Sequence, residues 1–394
     1  MSRAKLPRKP RKDFPLFPHA RGYWAKKVLG KLRYFGKVAD DPKGKVALAK
    51  WLDQKDDLLA GRVPRAKKVD GATVRDLCNG FLDAKKALVD CGELNPRTFA
   101  EYHATCKRVG DAFGWDRPLD DVVADDFDHL RRAIARLWGP VRVGNEVQRV
   151  RCLFKHGFDT GLIAQPVRYG PTFKKPSKAV LRRNRARNGK RMLEAHELQQ
   201  LLGAAPTPLK AMILLGINCG FGNTDVASLQ RRHLDLKNGW VDFPRPKTGI
   251  ARRCPLWPET VATIHEALAQ RPEPRADKYK ALVFITPRGN PWRVSEREDR
   301  DGQFHLKTHD YIGKQFTDLL KQLGLHRPGL GFYTLRHVFE TVGGASLDQV
   351  AVNRIMGHVD DSMAENYRER IDDARLLAVT EHVRKWLFGL EENE

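Results

Sequence analysis

Four residues toward the C-terminal end of the chain have the types and spacing needed for phosphoryl transfer. Arg336 and His337 are adjacent, His358 follows 21 residues later, and Tyr367 comes nine residues after that. A tyrosine hydroxyl can attack phosphorus and form a covalent ester. An arginine fork can donate two hydrogen bonds to a phosphate, and a histidine can bind it or move a proton near neutral pH. The set therefore predicts cleavage of a phosphodiester through a tyrosyl ester, without a metal.

These residues lie in short sequences that resemble the tyrosine recombinase (phage integrase) family. The stretch "YTLRHVFET" contains the arginine of the family's L-R-H box, and "IMGH" contains the histidine of its L-G-H box. In that family the nucleophilic tyrosine follows this histidine by nine residues, as Tyr367 does here. The resemblance implies that Tyr367 is the nucleophile and that Arg336 and His358 bind the scissile phosphate.

The resemblance implies two more site residues. The stretch "RPKTGIARRCPL" resembles the family's β-hairpin, whose lysine protonates the leaving 5′ oxygen, and Lys247 occupies that position. The family usually has a histidine three residues before the box arginine. Tyr333 stands there in this chain, and its hydroxyl can still donate a hydrogen bond to phosphate. Lys247 and Tyr333 thus complete the predicted catalytic set.

One position departs from the family pattern. The family's first catalytic arginine lies in a sequence like T-G-L-R-x-S-E-L, and the corresponding stretch "CGFGNTDVASL" has Gly222 in its place. Losing one buried phosphate-binding group is expected to cost about 3 kcal/mol or more of transition-state stabilisation. Either another group compensates, or the enzyme is slow or inactive. Arg252 and Arg253 are candidate replacements, and Asn223 is a candidate hydrogen-bond donor.

Mixed helical and strand patterns over residues 192–394 predict an α+β catalytic domain. The stretches "LEAHELQQLLGAA" and "PLKAMILLGINCG" are typical of helices. The stretch "WVDFPRPKTGIARRCPLWP" predicts strands that turn near residues 246–249, and residues 309–323 predict an amphipathic helix.

A last helix is predicted near residues 374–390, with an apolar stripe along one side. In the family, the element after the tyrosine often docks on a neighbouring subunit, so the resemblance implies that this stripe contacts a second copy. The alternative is that the helix packs on its own domain. The stripe consists of Leu376, Val379, Val383, Trp386 and Leu390.

Apolar residues at helical spacing predict a compact helical domain over residues 68–165. They recur from Val74 to Leu88, and Asn95-Pro96 caps a second helix that carries apolar residues from Phe99 to Val109. Two later helices are expected near residues 124–137 and 142–160, which makes four. This block resembles the core-binding domain of the family.

Residues 166–191 predict a basic linker between the two domains. Nine of the 18 residues in "KKPSKAVLRRNRARNGKR" are Lys or Arg, and none is acidic. We expect this segment to follow a phosphate backbone, because each phosphate that it neutralises releases counterions. The predicted DNA contacts are Lys174, Lys175, Lys178, Arg182, Arg183, Arg185, Arg187, Lys190 and Arg191.

Residues 1–62 predict a basic arm followed by a small β-sheet that packs on one helix. Two short runs flank Leu29 and Gly30 and indicate a β-hairpin. Trp24 and Tyr34 are interpreted either as core residues or as part of a DNA-facing sheet, because basic residues alternate with the aromatic ones. The unit resembles an arm-site-binding domain. Its predicted DNA contacts are Lys26, Lys27, Lys31 and Arg33.

The composition agrees with a nucleic-acid partner. The formal net charge is +23, which indicates a polyanionic ligand, with an anionic membrane surface as the rival. We find no apolar run near 18 residues and no signal peptide, so we expect a cytoplasmic, nucleoid-associated protein. The six cysteines are scattered without a C-x-x-C pair, which favours reduced thiols over a zinc site. No metal or cofactor is implied.

Together these features predict a multidomain, mainly α protein with small β-sheets. The resemblance implies a site-specific DNA recombinase that forms a 3′-phosphotyrosyl intermediate and acts as a tetramer on paired DNA sites, with a directionality factor as a further partner. Two alternatives stay open. One is a strand transferase of the type IB topoisomerase or transposase kind with the same site. The other is a degenerate DNA-binding relative that regulates or assists recombination, which Gly222 favours.

Overall fold

A computed structural model describes residues 9–59, 71–189, 191–300, 303–358, 367 and 370–390. Their buried apolar side chains form three separate hydrophobic cores. The first core draws on residues 14–58, the second on residues 74–173 and the third on residues 193–387. Helices dominate, and the described strands form small antiparallel sheets, which confirms the predicted fold class.

The N-terminal unit is a three-stranded antiparallel sheet packed on one helix, as predicted. Its elements are β1 (Phe17–Pro18), β2 (Tyr23–Val28), β3 (Lys31–Lys37) and α1 (Lys45–Leu59). The predicted hairpin pairs β2 with β3, and Val28 lies opposite Lys31. Leu29 and Gly30, with φ of 44° and 78°, make the two-residue turn that this register requires.

Trp24 belongs to the core of this unit. Its side chain is fully buried, packs edge-on against Phe14 at 5.3 Å and donates from Nε1 to the carbonyl of Asp41 at 2.7 Å. The interpretation of Trp24 as a DNA-facing residue is therefore wrong, because burying a large indole stabilises the fold more than exposing it would. Tyr34 lies on the exposed side of β3.

The second unit contains the four predicted helices. They are α2 (Val74–Asp90), α3 (Pro96–Phe113), α4 (Ala124–Leu137) and α5 (Pro140–Asp159). Thr73 and Asp76 form a reciprocal capping box at the start of α2, and Asn95 caps α3. The core extends beyond α5 to Phe173, which is fully buried, so the first part of the predicted linker packs with this unit.

The remainder of the predicted linker contains a short helix, α6 (Lys178–Arg187), capped by Ser177. None of its residues is buried, and every basic side chain that it carries is exposed. The sequence does not predict this helix, because the helix lacks the apolar face on which such a prediction depends.

The third unit surrounds helix α8 (Thr207–Asn218), whose residues from Ala211 to Asn218 are all buried. Helices from the whole of this unit pack around it. The first group of elements is α7 (Ala195–Ala204), α8 (Thr207–Asn218), α9 (Asn223–Ser228), β4 (Leu234–Asp235), β5 (Trp240–Asp242), β6 (Arg253–Pro255) and α10 (Pro258–Ala269). The second group is β7 (Arg293–Arg300), β8 (Gln303–Asp310), α11 (Tyr311–Gln322), α12 (Thr334–Gly344), α13 (Gln349–Met356) and α14 (Asp373–Phe388).

Strands β7 and β8 form a long two-stranded hairpin that was not predicted from the sequence. Most of its residues are charged or polar, so it lacks the apolar alternation that marks a half-buried strand. Both strands lie against α3 of the second unit, so the hairpin joins the two units at a point separate from the linker.

Helix α14 packs on its own unit. Leu376, Val379, Val383 and Leu387 are almost completely buried against the third core, and α14 contacts α7, α8, α12, α13 and β6. Of the predicted stripe, Leu376, Val379 and Val383 are thus covered by their own domain, as the alternative expected, whereas Trp386 is half-buried and Leu390 is exposed. The expectation of docking on a neighbouring subunit is wrong for these three buried residues. Within the described residues no helix is long and apolar enough to cross a membrane.

Candidate active site

Arg336 lies in the first turn of α12, where α12 crosses α8. The two helices approach closely at Gly216, since a Cβ there would lie 2.7 Å from Leu335 Cδ1. Arg336 is 3% exposed and donates to two backbone carbonyls, those of Gly220 and Met356, both at 2.7 Å. Its guanidinium therefore connects the end of α8 with the end of α13. Its three other N–H groups make no hydrogen bond to the described residues and can donate to a ligand.

Positive charges surround this guanidinium. Burial, followed by the charge of Arg245, lowers the pKa of Arg336 to about 10, and Arg252 adds to the shift. Arg245 itself donates to the carbonyl of Gly357 at 3.1 Å. A guanidinium group keeps its charge at neutral pH. Such a buried cluster of like charges favours a bound anion.

His358 follows directly after α13. Gly357 ends that helix with φ of 62°, a conformation that glycine adopts without strain. The His358 side chain is 34% exposed, and its Nδ1 lies 3.5 Å from Glu340 Oε2. Burial, followed by the charge of Arg336, lowers the pKa of His358, while Glu340 opposes the shift. The structure thus brings two of the predicted residues, Arg336 and His358, into one site.

Arg252 is buried in the same region, at 3% exposure. Its Nε donates to the carbonyl of Phe243 at 2.9 Å, and its Nη2 donates to Asp225 Oδ1 at 3.1 Å. Burial lowers the pKa of Arg252, and Asp225 opposes that shift. The buried ion pair places a permanent cation beside the cluster.

The two other candidates for compensation are engaged elsewhere. Arg253 forms a bidentate pair with Asp373, both bonds 2.9 Å long, and its guanidinium lies 4.1 Å from the centre of the Trp240 ring. Asn223 donates to Asp310 Oδ2 at 3.1 Å. Both side chains therefore have local partners in the free chain.

Gly222 is the N-cap residue of α9, and its N–H donates to Asp225 Oδ2 at 2.7 Å. A Cβ at Gly222 would lie 3.1 Å from Tyr333 Cδ2, so the Tyr333 ring covers the side of the backbone from which a side chain would project. Tyr333 is half-exposed and contacts the His337 ring edge-on at 5.4 Å.

Lys247 lies at the tip of the predicted hairpin between β5 and β6. The turn closes through Arg245, whose N–H donates to the carbonyl of Ile250 at 2.8 Å, and Gly249 adopts φ of 71°. The Lys247 side chain is exposed.

Tyr367 is the one described residue between positions 359 and 369. Its side chain is 79% exposed, in contrast to the buried Arg336. The free chain thus presents the phenol to solvent, and the structure does not bring it into contact with the buried cations.

Three residues of the site were not predicted: Arg245, Asp225 as a buried partner, and Glu340. Arg245 stands two residues before Lys247 in the quoted hairpin, so an excess of basic residues in that hairpin was the available signal. Asp225 and Glu340 give no such signal, because their roles arise from contacts across the fold. Among the described residues, no group of three or more His, Cys, Asp or Glu side chains could hold a metal ion.

A basic surface adjoins this site. An open groove of about 860 Å³ lies between α4, α5 and α6, lined by basic side chains and by Trp138. Arg185 and Arg191 lower the pKa of His337, after burial, so the α6 region also lies close to α12. The basic residues that line the groove are Arg131, Lys174, Lys175, Arg183 and Arg187.

The predicted DNA contacts are mostly accessible. In the α6 region all of them are exposed except Lys190, which lies outside the described residues. In the N-terminal sheet Lys27, Lys31 and Arg33 are exposed, whereas Lys26 turns inward. Lys26 donates to the carbonyl of Pro15 at 3.2 Å and lies 4.6 Å from the centre of the Trp51 ring.

Comparison with protein-family models matches residues 191–373 to the phage integrase family. The matched region runs from the end of the linker to the first residue of α14. Comparison with curated proteins found no match.

Solved structures share the fold. A lambda integrase dimer bound to a COC′ core site matches with a TM-score of 0.55 at 16% identity, covering 92% of this chain and 98% of that one. A lambda integrase tetramer bound to a Holliday junction gives 0.54 at 15% identity, covering 92% and 99%. A fragment of the Tn1549 transposon integrase in complex with a circular intermediate DNA gives 0.56 at 16% identity, covering 78% and 99%.

Proposed function

We propose that the chain is a site-specific DNA recombinase that cleaves and rejoins strands through a 3′-phosphotyrosyl intermediate. The match of residues 191–373 to the phage integrase family supports this proposal. The observation that carries the proposal is the convergence of Arg336, His358 and further buried cations at one site. A phosphodiester gains negative charge on its non-bridging oxygens during transfer, and fixed cations stabilise that charge.

The site supports a reaction with a complete proton balance. The Tyr367 oxygen attacks phosphorus, its bond to phosphorus forms, and the bond from phosphorus to the 5′ oxygen breaks. Neutral His358 accepts the phenol proton, and Lys247 gives a proton to the leaving 5′ oxygen. Arg336 and Tyr333 hold the non-bridging oxygens. Rejoining is the same sequence in reverse, so the energy of the broken bond is kept in the protein–DNA ester.

Cleavage requires the Tyr367 phenol to approach Arg336 and His358. Nine residues connect Tyr367 to His358, enough to span up to about 30 Å if extended. We propose that DNA binding brings the phenol into the site, either of its own subunit or of a neighbour. Dimers and tetramers of lambda integrase on DNA support an assembly of several copies.

The duplex is proposed to lie along the α6 region and the groove beside it. This surface provides exposed basic side chains without acidic ones in the α6 sequence, and it continues toward His337 on α12. Phosphate contacts of this kind position a protein on DNA without reading its sequence. The exposed Lys27, Lys31 and Arg33 on the N-terminal sheet provide a second basic surface.

Neutralising α6 is expected to weaken the salt dependence of DNA binding. In the variant Lys178→Gln, Arg182→Gln, Arg183→Gln and Arg187→Gln, four phosphate contacts are lost. The slope of log affinity against log salt concentration should then become smaller in magnitude by about 3 to 4. The measurement is fluorescence anisotropy of a labelled duplex between low and high salt.

A matched control removes the same number of charges from exposed lysines of the third unit that are not part of α6 or of the groove beside it. Lys237, Lys278, Lys280 and Lys321 are exposed and are changed together to Gln. Their removal should lower affinity slightly and leave the slope within about one unit of wild type. Equal slopes for the α6 variant and the wild type would show that α6 does not contact phosphates.

Cleavage is expected to fall in acid as His358 becomes protonated. Because burial and Arg336 lower the pKa of His358 from its ordinary value near 6.5, the neutral form persists below that pH. The rate constant at subsaturating protein, which reports the free enzyme, should stay constant down to about pH 6.5 and fall below it. Single-turnover cleavage across pH 5 to 8 measures this.

His358→Gln is expected to be slower and to lose the acid limb. His337→Gln is the control, because His337 also has a lowered pKa but is not part of the proposed proton transfer. It should keep the acid limb at its wild-type midpoint. A midpoint above pH 6.5 in the wild type, or an acid limb that survives in His358→Gln, would contradict this assignment.

A second function, favoured by Gly222, is DNA binding without cleavage. A degenerate relative of this kind would still need α6 and the groove, but it would not need buried cations near His358. The two functions differ in one product, a covalent protein–DNA complex.

The experiment that tests the proposed function uses DNA selected by the protein. Fragments of the genome that encodes the chain are bound at about 0.15 M salt, and the enriched site is rebuilt as duplexes with a nick at successive positions. Cleavage beside a nick releases a short oligonucleotide, so rejoining fails and the ester accumulates. Recombination predicts a complex that survives denaturing electrophoresis, together with exchange between two such sites. Binding without any such complex supports the degenerate relative.

A further inference from the structure

The buried arginine Arg252 has a donor that the folded chain does not use. Its Nε and Nη2 have partners, but Nη1 is buried and has no hydrogen-bond partner among the described residues. Leaving a buried charged donor unpaired is costly, and such groups in a native protein call for an explanation. A negatively charged ligand that binds beside Arg252 would supply the missing acceptor.

The surroundings of Arg252 place it at the proposed cleavage site. Asp225 accepts from Arg252 through Oδ1 and from the N–H of Gly222 through Oδ2, so one carboxylate bridges the two positions. A Cβ at Gly357 would lie 2.7 Å from Arg252 Cδ, so the stem of Arg252 packs against the residue before His358. The charge of Arg252 also helps to lower the pKa of Arg336.

Two aromatic rings hold the guanidinium in this position. The Arg252 guanidinium carbon lies 4.4 Å from the centre of the Phe221 ring and 5.3 Å from that of Phe243. The negative faces of such rings stabilise a cation where water is excluded. With Phe243 also accepting from Nε through its carbonyl, the side chain is held before any ligand arrives.

The neighbouring arginine is directed differently. Arg252 immediately precedes β6, whose first residue is Arg253, and successive side chains along an extended chain point to opposite faces. Arg253 accordingly pairs with Asp242 and Asp373 instead of Asp225. The strand thus presents only one of the two arginines to the buried cations.

We propose that Arg252 is a further phosphate-binding residue of the cleavage reaction, whose Nη1 donates to a non-bridging oxygen of the scissile phosphate. This inference rests on the proposed function. It would supply the cation that is missing at Gly222, through a side chain that reaches the site from β6 instead of α9. Arg252 stays protonated throughout and takes no part in bond making or breaking.

The test compares charged and neutral scissile phosphates in the nicked duplex. Arg252→Met should slow cleavage of the ordinary phosphodiester about 10² to 10³-fold, the scale of one lost transition-state donor. A methylphosphonate at the scissile position carries no charge to neutralise, so there the loss should shrink to less than about tenfold. A purely structural role of Arg252 would slow both substrates equally.

Controls separate folding from chemistry. Arg271→Met removes another partly buried guanidinium that donates to backbone carbonyls, and it should retain wild-type cleavage of both substrates. If Arg252→Met does not fold, Arg252→Lys keeps the buried charge but loses the fork, and the same contrast between substrates is expected at smaller amplitude.

Equal losses on the two substrates, or an unaffected phosphodiester rate in a folded variant, would overturn the role of Arg252. The role would also be overturned if Arg253→Met, and not Arg252→Met, slowed cleavage of the phosphodiester more than that of the methylphosphonate. If the wild-type protein formed no covalent complex, the proposed function itself would be overturned. Failure of the Arg252 role can therefore be distinguished from failure of the proposed function.

Discussion

Tyr367→Phe should form no covalent complex with nicked DNA. The substitution removes the hydroxyl that becomes the ester oxygen, and loss of a nucleophile commonly lowers turnover by about 10⁴-fold or more. DNA affinity should stay unchanged, because the side chain is 79% exposed and uncharged. The measurements are denaturing electrophoresis of the complex and anisotropy of the same duplex.

The matched control is Tyr311→Phe, which removes a phenol hydroxyl from a half-exposed tyrosine at the start of α11. It should cleave as wild type does. Persistence of the covalent complex in Tyr367→Phe would assign the nucleophile to another residue. Mixing Tyr367→Phe with a variant that lacks Arg336 gives further information, because recovered cleavage would show that one subunit supplies the phenol to another.

The second large effect is expected at Arg336. Arg336→Met removes a buried cation and the two bonds to the carbonyls of Gly220 and Met356. Cleavage should fall by about 10³-fold or more, since a charged donor contributes at least as much as a neutral one. The free energy of unfolding should decrease by about 2 to 3 kcal/mol, as two buried carbonyls lose their donors. Single-turnover cleavage and denaturant unfolding measure the two effects.

Stability alone should not account for the loss of cleavage. Arg327→Met breaks the pair with the buried Glu197, and it should destabilise the fold by about 3 kcal/mol without slowing cleavage at a temperature where the variant is folded. Arg336→Lys keeps one charge without the planar fork and should lie between wild type and Arg336→Met. If the cleavage rate fell in step with the free energy of unfolding across these variants, Arg336 would be a structural residue.

Local patterns predicted the elements that position the site. The amphipathic repeats of α2, α11 and α14, and the turns at Leu29–Gly30 and near Gly249, depend on neighbours in sequence, so they could be predicted from it. The polar β7–β8 hairpin and the basic α6 could not, because neither shows an apolar periodicity. Burial of Trp24 and of the α14 stripe depends on partners distant in sequence.

In the site, too, some features could be predicted from the sequence and others could not. The spacing from Arg336 to His358 follows from two consecutive helices, so their meeting was predictable. The sequence could not predict which of Arg252 and Arg253 joins the site. That outcome depends on which face of the strand meets Asp225 and which meets Asp373. A shift of one residue along an extended chain exchanges those faces. Only the folded chain distinguishes them.

The most direct test is to identify the residue that carries the DNA. The trapped complex is digested with nuclease and trypsin, and the peptides are analysed by mass spectrometry. The account predicts that the peptide of residues 355–368 carries a nucleotide joined through its 3′ phosphate to Tyr367, and that the released strand ends in a 5′ hydroxyl. A nucleotide on any other residue, or a released strand with a 5′ phosphate, would contradict it.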